Sequence, residues 1–121
     1  MNKKILVVDD DLINLRFAEF TLTNNNYTVI RAQSGMECLE IIRRTKVDLI
    51  LLDIEMPMMN GIQTLELIRQ NDRYKDIPVM FLTADAVFES VVKAAKLGAV
   101  EYIKKPFKPN ELILRVNKFF E

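Results

Sequence analysis

The sequence predicts an α/β domain: a doubly wound (βα)5 sandwich whose five-stranded parallel sheet runs in the order 2-1-3-4-5, with helices on both faces. Short apolar runs alternate five times with longer segments of helical period, without repeats or Gly/Ser-rich linkers. Three of those runs are apolar on both faces, as a central strand of a parallel sheet must be when helices cover each side. The 121 residues, half of them apolar, are enough for one core, so residues 1–121 read as a single domain.

Each element follows in order. The first strand candidate, Lys4 to Asp9, carries Ile5-Leu6-Val7-Val8 and is central. A helix over 12–23 follows it and is ended by Asn24-Asn25-Asn26. The second strand, Tyr27 to Ala32, includes Thr28 and Arg31 and reads as an edge; its helix covers 35–44. The third, Asp48 to Asp53, holds the apolar run Leu49-Ile50-Leu51-Leu52 and leads to a helix over 61–71. The fourth, Ile77 to Leu82, is central through Val79-Met80-Phe81-Leu82. The helix after it, 85–97, is closed by Gly98 where a left-handed cap belongs. The fifth, Ala99 to Ile103, carries Glu101 and Tyr102 and is the other edge, and Pro109 opens the last helix, 109–120. Right-handed crossovers then give the stated strand order.

Composition excludes several chemistries. There is no His and only one Cys, Cys38, which removes Ser-His-Asp and Cys-His catalysis, His-ligated zinc or haem, and internal disulfides. A metal must therefore be held by oxygen, which favours magnesium or calcium. Seventeen Lys plus Arg balance seventeen Asp plus Glu, so bulk charge requires neither nucleic acid nor an anionic membrane. The run before Asp9-Asp10-Asp11 is too short for a signal segment or a membrane span, and the chain reads as cytoplasmic.

In an open parallel sheet, ligands bind outside the carboxyl ends of the strands, where the winding reverses. Asp9-Asp10-Asp11 follow the first strand, Asp53 ends the third, Thr83 follows the fourth, and the fifth runs on to Lys105-Pro106. Four distant segments thus deliver carboxylates, a hydroxyl and an ammonium to one edge. Bunched carboxylates disfavour one another's ionisation unless a cation sits among them. Magnesium suits a site with few protein ligands and a phosphate oxygen to share, and a lysine and a hydroxyl match the remaining phosphoryl oxygens. Asp11 reads equally as a cap on the first helix.

These residues resemble the receiver domain of two-component response regulators, in the CheY-like superfamily with its flavodoxin-like fold, from Lys4 to the end of the chain. The resemblance rests on Ile5-Leu6-Val7-Val8-Asp9-Asp10-Asp11, on Asp53-Ile54-Glu55-Met56-Pro57-Met58-Met59-Asn60-Gly61, on Leu82-Thr83-Ala84, and on Gly98-Ala99-Val100-Glu101-Tyr102-Ile103-Lys104-Lys105-Pro106-Phe107. It implies a phosphoacceptor signalling module, not an enzyme with turnover, in which Asp53 takes a phosphoryl group from the phosphohistidine of a histidine kinase or phosphotransfer protein. Mg2+ would be held by Asp10, Asp53 and the backbone carbonyl of Glu55, with Asp9 acting through water. Lys105 and Thr83 would meet phosphoryl oxygens, and Lys105-Pro106 would be a cis peptide. Thr83 and Tyr102 would form the switch to the face of the fourth helix, fifth strand and fifth helix. Glu55 and Asp85 would flank the path of the attacking water and so modulate dephosphorylation.

The rival with turnover is an aspartyl-nucleophile phosphatase of the haloacid dehalogenase type, suggested by Asp9-x-Asp11. Leu12-Ile13 replaces the small turn residues that such a motif needs, and Asp53 would have no role. A flavodoxin relative would need a Ser/Thr-rich loop where aspartates stand. A pseudo-receiver that only docks would lose the acceptor, metal or lysine positions that this chain keeps.

Smaller features take plainer readings. Cys38 reads as a buried core residue, and Met56, Met58 and Met59 as loop packing. On the fourth helix Phe88 and Val92 border the apolar arc and read first as core edge; the competing reading is a surface for a partner or a second copy, as in a phosphorylation-dependent dimer. The basic tail from Lys104 to Lys118 is a solvated helix face, so no direct nucleic-acid contact is expected.

Overall fold

The computed structural model describes residues 2–84 and 88–121, with the side chains of 83 and 88–91 outside the described set. The chain alternates β1 (Lys4–Val8), α1 (Leu12–Thr23), β2 (Thr28–Ala32), α2 (Gly35–Arg44), β3 (Leu49–Leu52), α3 (Gly61–Gln70), β4 (Val79–Thr83), α4 (Phe88–Lys96), β5 (Glu101–Lys104) and α5 (Pro109–Phe119). All strand pairs are parallel and the order is β2-β1-β3-β4-β5, as the sequence predicts.

The alternation of side chains along β1, β3 and β4 divides one core into two layers. Leu6, Val8, Ile50, Leu52, Val79 and Phe81 point to one face and meet Cys38, Ile41, Leu65, Ile68 and Ala94 of α2, α3 and α4. Ile5, Val7, Leu49, Leu51, Met80 and Leu82 point to the other and meet Leu15, Ala18 and Leu22 of α1 and Leu112 and Val116 of α5. β1 and β3 are buried almost throughout, whereas β2 and β5 keep exposed or half-buried positions, which is what edge strands do.

Boundaries differ from expectation where a local motif intervenes. β4 starts at Val79 because Pro78 has no N–H to give the ladder. β5 starts at Glu101 because Ala99 belongs to the end of α4. The Gly98 amide donates to the Ala95 carbonyl and the Ala99 amide to that of Ala94, both at 3.0 Å, with Gly98 at φ +79°. That paired bonding closes the helix in a Schellman motif, and a left-handed residue is needed to make it.

Arg69 of α3 locks this corner to the rest. Its guanidinium donates to the carbonyls of Leu97 and Ile77 at 2.8 Å and of Lys75 at 3.0 Å, joining three segments. Burial lowers its pKa, and the nearby Asp76 acts in the opposite sense. No helix among the described residues is long and apolar enough to cross a membrane.

Candidate phosphoacceptor site

The first acidic segment is set by the turn from β1 into α1. The Asp11 carboxylate accepts the Ile13 amide at 2.8 Å and that of Asn14 at 3.4 Å, so it caps α1. This decides between the two readings that the sequence leaves open, and Asp11 lies outside the acidic cluster. Asp9 in turn accepts the Asp11 amide at 2.9 Å, which fixes its carboxylate, while Asp10 stays exposed.

Asp53 leaves the end of β3 with its amide still bonded to the Val8 carbonyl at 2.9 Å, so the ends of β1 and β3 are held in step. One oxygen each of Asp9, Asp10 and Asp53 lie within 4.8 Å of one another, a spacing that a single cation can bridge. Asp9 and Asp53 are buried and Asp10 is open to solvent. The Glu55 amide donates to Asp53 Oδ1 at 3.4 Å, which places the main chain of Glu55 beside the cluster and leaves its side chain exposed.

Lys105 reaches the same spot from the end of β5, across the sheet. Its ammonium pairs with Asp9 Oδ2 and lies 3.5 Å from Asp53 Oδ2, largely shielded from water. The Lys105–Pro106 peptide is cis. Burial pushes the Asp53 carboxyl up to about 6. The Lys105 charge opposes that rise, the charge of Asp9 adds to it, and the Glu55 amide opposes it. Burial and the Asp9 charge thus disfavour the ionised form of Asp53, and the Lys105 ammonium and the Glu55 amide favour it.

Thr83 is the last residue of β4, in register with Lys104, so its backbone stands at the same sheet edge; its hydroxyl lies outside the described residues. Asp85 also lies outside them. Tyr102, in register with Phe81 on β5, packs on the core layer of α2, α3 and α4, and its hydroxyl oxygen is shielded from solvent. Cys38 is fully buried, and burial raises its thiol to about 12, so it is an inert core residue. Met56 is buried and Met58 fully exposed.

Two residues of the loop from Asp53 to α3 matter more than their chemistry suggests. Asn60 caps α3 in a reciprocal box with Gln63, which starts the helix beside Asp53. Gly61 then packs so tightly that a Cβ there would lie 2.2 Å from the Asp53 carbonyl oxygen. Met58, two residues before Asn60, takes φ +71° and turns the chain towards the helix start. The Asn60-x-x-Gln63 spacing is readable in the sequence; the Gly61 contact is not, because it depends on where another segment's backbone passes.

The family pattern described as the response regulator receiver domain matches residues 5–117. This chain belongs to that family. Among curated relatives, the alkaline phosphatase synthesis transcriptional regulatory protein PhoP of Bacillus subtilis is 40% identical over 96% of the chain and 48% of its own length. The regulatory protein VanR of Enterococcus faecium is 38% identical over 96% of the chain and 49% of its own length. The receiver thus spans about half the length of these relatives. Among solved structures, the chemotaxis protein CheY4 of Vibrio cholerae superposes with a TM-score of 0.92 at 29% identity, covering 98% of each chain. The receiver domain of Francisella response regulator 1452 gives a TM-score of 0.89 at 34% identity, covering 98% of this chain and 97% of that one. The protein is accordingly a signalling receiver domain of a two-component response regulator, and the phosphatase alternative is not favoured. Asp11, which that alternative needs in the site, spends its carboxylate on a helix cap.

Proposed function

We propose that Asp53 is the phosphoacceptor of a magnesium-dependent transfer from a phosphohistidine on a histidine kinase or phosphotransfer protein. The observation that carries this reading is the convergence of Asp9, Asp10, Asp53 and Lys105 at one sheet edge. An all-oxygen donor set with an exposed member fits a hard divalent ion. Asp10, Asp53 and the Glu55 carbonyl would hold Mg2+, with Asp9 acting through water; the ion supplies positive charge for the carboxylates and the phosphoryl oxygens. In the transfer, an Asp53 oxygen forms a bond to phosphorus while the phosphorus–nitrogen bond of the donor breaks, and the electron pair returns to the imidazole nitrogen. Lys105 exchanges its hold on the carboxylates for a phosphoryl oxygen, and Thr83 donates its hydroxyl to another.

The added charge draws Thr83 towards the site, and Tyr102 answers on β5, so that the face of α4, β5 and α5 reports the change. That face, with Phe88 and Val92, is the surface for a phosphorylation-dependent dimer. Glu55 and Asp85 flank the approach of the hydrolytic water and set the lifetime of the acyl phosphate. The domain works in the cytoplasm, turns over no substrate of its own and contacts no nucleic acid directly.

Incubation with magnesium and a small acyl-phosphate donor, followed by mass measurement, tests the central claim. One phosphoryl adduct is expected, absent in Asp53→Asn and abolished by chelator; an unmodified wild-type protein would overturn it.

A further inference from the structure

A second feature lies away from the acidic cluster, where α2 and α3 run side by side. The crevice between them encloses about 330 Å³ and is largely apolar: Leu39, Ile42 and Ile68 form its floor. Met36 and Leu67 stand at its walls, 63% and 43% exposed, so the crevice presents its apolar lining to solvent. The crevice ends at Tyr74, where it meets a cavity of about 540 Å³ in front of the amino ends of β3 and β4, on the sheet edge opposite Asp53.

That cavity is lined by Arg43, Arg44, Lys46 and Arg73, and among the described residues none of the four forms an ion pair. Three acids share the lining: Asp48 accepts the Lys4 amide at 2.7 Å, Asp76 faces Arg69, and Glu40 lines the crevice itself, so the four cations outnumber the carboxylates by one. Arg43 and Arg44 sit in the last turn of α2, where part of their charge answers the helix end. Arg73 and Lys46 lie outside any helix and have no such role. The Arg73 guanidinium rests over the Tyr74 ring, 5.7 Å from its centre, which holds a cation at the junction of the two cavities.

We propose that this groove docks an amphipathic helix of a partner protein, apolar along one stripe and acidic in its first turn. A helix laid between two helices buries both apolar walls at once. Acidic residues in a helix's first turn are favoured by its own dipole, so the occupant's charge and apolar stripe follow one another as the basic end and the trough do. A small polyanion would engage the arginines and leave Met36 and Leu67 in water. The site is independent of the acceptor chemistry.

The probe is a synthetic peptide of about four turns, with Leu at i, i+3, i+4 and i+7 and Glu in its first turn, titrated into the isotopically labelled chain. Saturable shift changes confined to α2, α3 and residues 45–48 and 73–78 are expected. Leu67→Asp and the pair Arg43→Glu/Arg73→Glu should each weaken binding about tenfold, as should replacing the peptide's Glu by Lys. Both variants should still accept a phosphoryl group at Asp53, which reports correct folding; should Leu67→Asp misfold, Met36→Asp on the facing wall replaces it. The proposal is overturned by absent binding, by shifts on other faces, by unchanged affinity in the variants, or by inorganic triphosphate reproducing the full pattern, Met36 and Leu67 methyls included.

Discussion

At the residue scale the proposed role of Asp53 sets two demands against each other: a nucleophile must be ionised, and Asp53 sits where burial disfavours ionisation. Its pKa of about 6 exceeds the ordinary 3.8, so between those values the folded chain binds more protons than the unfolded one. Stability therefore falls as pH rises through that window, and above it the cost is constant. In metal-free buffer Asp53→Asn should match the wild type near the bottom of the window and exceed it by about 2 kcal/mol at neutral pH. Denaturant melts across that range check it; equal stability at all pH values would refute the assignment of cost to this carboxyl. Gly61 is constrained by space, not charge. Gly61→Ala puts a methyl carbon against the Asp53 carbonyl, where only backbone can yield. A loss of about 2–3 kcal/mol is expected by chemical denaturation, with slowed phosphorylation because the acceptor's own main chain must move.

The helices differ in how far their surroundings could be foreseen. α2 and α3 each keep an apolar face towards the sheet, with Met36 and Leu67 left outside it, and their limits agree with those expected to within a residue. α1 is apolar on more than one side: Leu12, Ile13, Phe17 and Phe20 face outward while Leu15, Ala18 and Leu22 face the sheet. Nothing in a single helix's pattern says which apolar side meets the core. Ile13 and Phe20 are 78% and 68% exposed, and Phe17 stacks at 5.7 Å on Phe107, two residues beyond Lys105. Under the proposed function this apolar strip, which reaches Lys105 through Phe107, would seat the protein that delivers the phosphoryl group. Ile13→Asp should slow transfer from a protein phosphodonor about tenfold or more and leave the small acyl-phosphate reaction unchanged. Equal slowing of both reactions, followed by quenched-flow kinetics, would count against docking there.

The topology of the whole molecule was legible because burial leaves a coarse signature: Leu49 to Leu52 is apolar at every position, whereas Thr28 to Ala32 and Glu101 to Lys104 are not. The convergence at the carboxyl edge followed from that topology alone. Pairings between side chains did not, since they depend on angles and reach that no spacing encodes. Asp11 and Asp10 are neighbours of the same type, yet one caps a helix and the other joins the cluster. The late start of β5 likewise depended on how α4 is closed. Binding of Mg2+ to the folded state alone would stabilise the entire domain by mass action. At about one hundred times its dissociation constant the gain is about 2.7 kcal/mol, readable as a rise in the thermal midpoint. Asp10→Asn should remove most of that rise; a wild-type midpoint indifferent to magnesium would exclude the site.

The Lys105 bridge has a consequence in stoichiometry. Three carboxylates and one ammonium share the pocket at the sheet edge, so with every acid ionised their formal charges sum to minus two. One divalent cation cancels that sum, and a second would leave an excess with no ligand to share. With the lysine in place a single divalent ion thus brings the cluster to neutrality, and replacing it by a neutral residue would leave one negative charge that one magnesium does not cancel.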